Sequence, residues 1–196
     1  MSSLVDLALL SGGQLHAQFR PVDLLDAVCT SIAAERSAAH RKEIALRAEL
    51  PARLGVVHGD EARLRQVFAS ILSNATKFTP PGGRIDVRAT TNAGRAVIAV
   101  SDSGEGIAED KLDDVFETFR RGRAGGAKNR GGLGIGLTIA KHLVELHGGT
   151  IRASSEGQGH GACFEVELPL VHVQELESNG HPSRAMHSAS HPQKSL

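Results

Sequence analysis

Ser70, Asn74 and Lys77 follow one another at intervals of four and three residues. On a helix that spacing sets them along one side. An asparagine oxygen can ligate Mg²⁺ without repelling it, and its amide can donate to phosphate. A lysine ammonium supplies positive charge for phosphate oxygens. A second group, Asp102-Ser103-Gly104-Glu105-Gly106-Ile107, comes directly after the apolar run 96–100. A carboxylate there can accept a hydrogen bond from the exocyclic amine of adenine. Gly104 and Gly106 remove side chains so that backbone can approach a base closely. The third group is Gly132-Leu133-Gly134-Ile135-Gly136-Leu137, at the head of an amphipathic stretch. Glycines at alternate positions leave bare N–H groups beside a helix N-terminus, which attract phosphate through unsatisfied donors and the helix dipole. Taken singly, the three read as a solvated helix end, an Asp-capped turn and a flexible hinge. Together they describe a nucleotide pocket. There is no Gly-x4-Gly-Lys-Ser/Thr, and no strand immediately precedes the third group as a dinucleotide fold requires.

The elements that must position these groups follow from periodicity. A helix over 60–76 has Leu64, Val67, Phe68, Ile71, Leu72 and Ala75 as its apolar stripe, opposite Ser70, Asn74 and Lys77. Pro80-Pro81-Gly82-Gly83 breaks the chain. Strands over 85–90 and 96–102 read as a hairpin turning at 92–94. Upstream, a helix that follows Pro21, with Asp23 in its first turn, and runs to about His40 turns Leu25, Val28, Cys29 and Ile32 inward, and strands follow at 44–50 and 55–58. Downstream, a short helix near 109–114 precedes Val115-Phe116-Glu117-Thr118-Phe119. The basic, glycine-rich stretch 120–132 reads as a mobile loop. A helix over 133–146 stops at His147-Gly148-Gly149. Strands at 150–154 and 162–168 are separated by the glycine-rich 157–161. Residues 1–18 read as the end of an amphipathic helix and a linker, and 171–196 as a disordered tail.

With 196 residues the chain is one domain, at 19–170, with two short flanks. It is 40% hydrophobic but only 3% aromatic and lacks Trp and Tyr, so aliphatic side chains must fill the core. A net charge of zero argues against nucleic acid as a partner. No run approaches the roughly 18 apolar residues of a membrane span, and the start, with Asp6 and no basic lead, is not a secretory signal. Cys29 and Cys163 lie far apart without metal-like spacing. They read as packing residues of a reduced, cytoplasmic chain.

The order of these motifs resembles the ATP-binding catalytic domain of sensor histidine kinases. That family shares its fold with gyrase, heat-shock chaperone and mismatch-repair ATPases. Residues 73–79 look like the N box, 102–107 like the first glycine box, 115–119 like the F box and 132–137 like the second glycine box. The resemblance implies an α/β two-layer sandwich, a mixed sheet covered by helices on one face, with a mobile ATP lid at 120–132. The implied ligands are ATP and Mg²⁺. Asn74 would ligate the metal, with Ser70 beside it, and Asp102 would hold adenine above Gly104, Gly106 and Ile107. Lys77 would touch phosphate. Gly132, Leu133, Gly134, Gly136 and Leu137 would flank the triphosphate. Arg120, Arg121, Arg123, Lys128 or Arg130 would reach the γ-phosphate from the lid, and Phe116 and Phe119 would anchor that lid. The implied partners are a histidine-bearing dimerisation hairpin and, downstream, a response-regulator receiver domain.

Two departures qualify this pattern. Ser70 stands where histidine kinases usually carry a second Asn, and a hydroxyl is the weaker metal ligand. It also stands where the hydrolysing branches carry a catalytic Glu, whose role as base it cannot fill at neutral pH. No histidine has the sequence context of the phosphoacceptor, and each reads as a surface residue. The chain therefore reads as the catalytic half of a kinase, mostly monomeric. A nucleotide-binding regulatory module without phosphotransfer and an anti-sigma-type serine kinase are the alternatives.

Overall fold

The computed structural model describes residues 17–117 and 135–171. The expectations for the N-terminal helix end, Phe119 with the lid, and the tail fall on residues outside that description. In chain order the elements are β1 (Arg20–Asp23), α1 (Leu24–Arg41), β2 (Ala45–Glu49), β3 (Val56–Gly59), α2 (Glu61–Phe78), β4 (Arg84–Asn92), β5 (Arg95–Asp102), two 3₁₀ turns (Glu109–Lys111 and Asp113–Phe116), α3 (Gly136–Leu146), β6 (Thr150–Ser154) and β7 (Ala162–Pro169). Five strands form one sheet in the order β2-β4-β5-β7-β6. Only β2 and β4 run parallel, so the sheet is mixed. β1 and β3 pair separately as an antiparallel ribbon. β1 escaped the sequence reading because Val22 alone among its four residues is buried, leaving no alternation to see.

α2 is the element around which the domain packs. Its stripe residues Leu64, Val67, Phe68, Ile71, Leu72 and Ala75 are each at most 1% exposed. Each large side chain so buried contributes roughly 1.5–3 kcal/mol. The helix packs against α1, α3 and β5. On the sheet, Ile85, Val87 and Ala89, then Ala96, Ile98 and Val100, then Phe164, Val166 and Leu168 form the buried set. Register aligns Val87 with Val100 and Val100 with Phe164, so the apolar face runs unbroken across three strands. The intervening positions are half-buried or exposed. This is the α/β layering that the resemblance implied.

Two residues depart from expectation. Cys29 is exposed rather than packed. The inner face of α1 centres on Leu24, Ala27, Val28, Ser31 and Ile32, and position 29 falls past its edge. His147 is only 4% exposed rather than at the surface. Its Nε2 accepts from the Asp60 N–H at 3.0 Å, and its Nδ1 lies 2.6 Å from the Leu143 carbonyl, to which it donates. Asp60 in turn caps α2, accepting from the Arg63 N–H at 3.2 Å and from the Gln18 N–H at 2.9 Å. Burial alone would raise the Asp60 carboxyl. The amides of Gln18, Arg63 and Ala62, with the Arg63 charge, hold it below its ordinary value. The N-terminus of α2, and so the direction in which it carries Asn74, is fixed by this cluster.

Candidate nucleotide site

Strand register sets the first site residue. Asp102 is the last residue of β5, opposite Ile85 on β4 and Ala162 on β7. Its Oδ1 accepts from the Gly104 N–H at 2.8 Å. Burial pushes the Asp102 carboxyl above its ordinary range, although the amides of Gly104 and Ala162 oppose the shift. A carboxylate in that state gains from any further donor, and an exocyclic amine is one.

The loop after Asp102 is shaped by close backbone approach. A Cβ at Gly104 would lie 2.6 Å from the Phe78 carbonyl oxygen. At Gly106, where φ is +69°, it would lie 2.0 Å from the Gly157 carbonyl oxygen, and at Gly161, where φ is +73°, 1.8 Å from that of Asp102. Residues 103–107 and 155–161 are thereby laid against each other. The Gly159 N–H donates to the Glu105 carbonyl at 2.7 Å, and the Gly161 N–H to that of Gly104 at 3.1 Å. Ser155 is the hub between the loops. Its Oγ accepts from the Ile107 N–H at 3.0 Å and the Gly157 N–H at 3.2 Å, and donates to the Gly161 carbonyl at 2.6 Å.

Between this floor, the last turns of α2 and the 3₁₀ turns lies a cavity of about 350 Å³, a size typical of small-molecule sites. Asn74, Asp102, Gly106, Ile107 and Leu137 all line it, so five of the expected site residues meet in one place. Gly104 sits behind Asp102 against Phe78. Ser70 lies beside the head of α3, where a Cβ on Gly136 would fall 2.6 Å from its Oγ. Lys77 is on the last turn of α2 but is not among the lining residues; its Nζ is 5.2 Å from the Phe78 ring centroid. Arg120, Gly132, Leu133 and Gly134 lie outside the described residues. Phe116 meets Phe164 edge to face, with centroids 6.3 Å apart.

Lys111, Gln158, Ala162 and Phe164 were not expected at the site but also line the cavity, as does Phe78 from the N-box stretch. One signal could have found part of this wall. Gly157, Gly159 and Gly161 repeat the alternate-glycine spacing of the other two clusters.

A carboxylate on a glycine floor and an asparagine at a helix end thus line one cavity. Residues 59–172 match the family described as histidine kinase-, DNA gyrase B- and HSP90-like ATPase. The chain belongs to this family. It is 37% identical over 171 residues to the sensor histidine kinase TmoS of Ectopseudomonas mendocina, covering 87% of this chain and 17% of TmoS. The domain thus spans about a sixth of that relative's length. Among solved structures, the mycobacterial sensor histidine kinase MprB superposes with a TM-score of 0.65 at 31% identity, covering 78% of this chain and 97% of that one. Full-length ShkA in complex with AMPPNP gives 0.74 at 29% identity, covering 86% of this chain and 34% of that one. Domains of this family bind ATP, and the mixed five-stranded sheet with helices matches histidine kinase catalytic domains.

Proposed function

We propose that this ATPase-family domain holds Mg²⁺·ATP and transfers the γ-phosphoryl group to a histidine on a separate domain or chain, as the catalytic half of a sensor histidine kinase. The observation that carries this reading is Asp102, raised by burial on a floor of close-packed backbone, with Asn74 lining the same cavity. Asp102 accepts from the exocyclic amine of adenine. Asn74 and the Ser70 hydroxyl one turn earlier offer neutral oxygens to Mg²⁺. Lys77 supplies charge to the phosphates. Ile135 at the N-cap of α3 makes no side-chain cap hydrogen bond, and the N-terminus of a helix attracts an anion.

Bound Mg²⁺·ATP supplies the electrophilic phosphoryl group. Transfer of this kind needs positioning and charge neutralisation rather than covalent help from the protein. The partners in this reading are a dimeric hairpin bearing the acceptor histidine and then a response-regulator receiver domain, all in the cytoplasm. Among the described residues no helix is long and apolar enough to cross a membrane.

The test is to mix the chain with a separately purified acceptor hairpin and γ-labelled ATP. Label on the hairpin is the expected result. ATP binding without transfer would instead favour the regulatory-module reading, which Ser70 in place of a second amide ligand motivates.

A further inference from the structure

We infer that Lys42 is a positioning residue of the nucleotide site, acting from behind the helix that carries Asn74 and Lys77. The inference rests on the reading that a triphosphate and its metal lie at Asn74.

Any α-helix leaves its last four carbonyls without partners inside the helix. At the end of α2 all four are accounted for. The Ala75 carbonyl accepts from the Thr79 N–H at 3.0 Å, and the Phe78 carbonyl from the Glu105 N–H at 3.2 Å. The two between them, Thr76 and Lys77, are both taken by the Lys42 ammonium, at 2.7 and 2.8 Å. One cation from another element thus clamps the turn that follows Asn74.

Lys42 is placed for this by the end of its own helix. It is the C-cap of α1, and its backbone N–H donates to the carbonyls of Ala38 and Ala39. Glu43 then turns at φ +58°, and the Glu43 and Ile44 N–H groups return to the carbonyls of His40 and Ala39. This is a Schellman closure with a non-glycine residue in the left-handed position. It aims the Lys42 side chain across to α2 while the main chain leaves for β2.

The electrostatic consequence is specific. A helix C-terminus carries roughly half an elementary negative charge. Asn74 and Lys77 lie in the last turns of α2, at the end that repels an anion. The Lys42 ammonium lies on those carbonyls, half-buried, and reverses the sign of that end without lining the cavity. Lys42 therefore orients the turn after Asn74 and makes this end of α2 tolerable to a triphosphate.

The experiment titrates the 196-residue chain with AMPPNP, with and without Mg²⁺, by calorimetry, and with adenosine by NMR shift titration. The inference expects Lys42→Met to weaken Mg²⁺·AMPPNP by about five- to tenfold, to leave adenosine within about twofold, and Lys42→Arg to recover most of the loss. Equal losses on both ligands would reduce Lys42 to a fold contact and overturn it, as would unchanged AMPPNP binding. If Lys42→Met does not fold, Lys42→Gln, which keeps a donor without the charge, is compared with Lys42→Arg. A loss on AMPPNP confined to the glutamine variant supports the inference, and equal behaviour overturns it. Wild-type chain that fails to bind AMPPNP would overturn the nucleotide reading itself, a result separable from any behaviour of the variants.

Discussion

The Asp102 and Asn74 sides of the cavity are built on opposite principles. The Asp102 side is backbone laid on backbone, with carbonyl oxygens of Asp102, Phe78 and Gly157 standing where side chains of Gly161, Gly104 and Gly106 would have to be. The Asn74 side is a helix presenting side chains, its ends fastened by Asp60 and Lys42. The first leaves no room for a methyl group. The second tolerates a change of side chain as long as the helix stays in place. Substitutions on the two sides should therefore fail differently: at the floor glycines, binding and stability fall together, whereas on the helix, chemistry falls and stability remains.

Gly161→Ala should have the largest effect. It forces a Cβ to within 1.8 Å of the Asp102 carbonyl oxygen at a positive φ, at a cost of about 3 kcal/mol or more. Thermal unfolding and nucleotide titration should both deteriorate, and an alanine variant of wild-type stability would refute the backbone-contact account. Asn74→Asp should abolish phosphotransfer with little change in melting temperature, because Asn74 is half-buried at the cavity wall, where the proposed reading has it meet the metal. Transfer at wild-type rate in that variant removes Asn74 from the site.

Asp102→Asn sharpens the comparison through pH. The folded chain holds this carboxyl above its ordinary range, so the native state binds the proton more tightly than the unfolded chain. Stability from this group is present below the unfolded pKa and is lost as pH rises through the folded value. Asparagine removes that slope. Urea midpoints of the ligand-free variant should match or exceed wild type at neutral pH and lose the advantage on acidification. Nucleotide affinity should fall about 10- to 100-fold for want of an ionised acceptor. Ser155→Ala should be the mildest. It strands the Ile107 N–H and loosens the two loops, costing about 1–2 kcal/mol, and should weaken adenosine and AMPPNP by the same factor.

The motifs on α2 and at the end of β5 were legible because their spacing matched a helix or a strand end, and five of the expected residues line one cavity. The part of the floor at 155–161 was not. Gly157, Gly159 and Gly161 read only as a separator, since their role depends on β7 pairing with β5 some sixty positions earlier, at Asp102↔Ala162. Lys42 was silent for the same reason, because it acts on carbonyls 34 and 35 positions away.

What the sequence by itself determined is local. The apolar stripe of α2 dictated which side chains turn outward, the alternation in β4, β5 and β7 dictated a one-faced sheet, and the glycine clusters marked where backbone would come close. Tertiary structure alone decided which backbone came close to which, that burial would raise Asp102, and that a lysine on α1 would close the end of α2. Periodicity fixes a residue's face within its own element, whereas desolvation, register and the partner of an orphan carbonyl are properties of the packed chain and have no signature in sequence spacing.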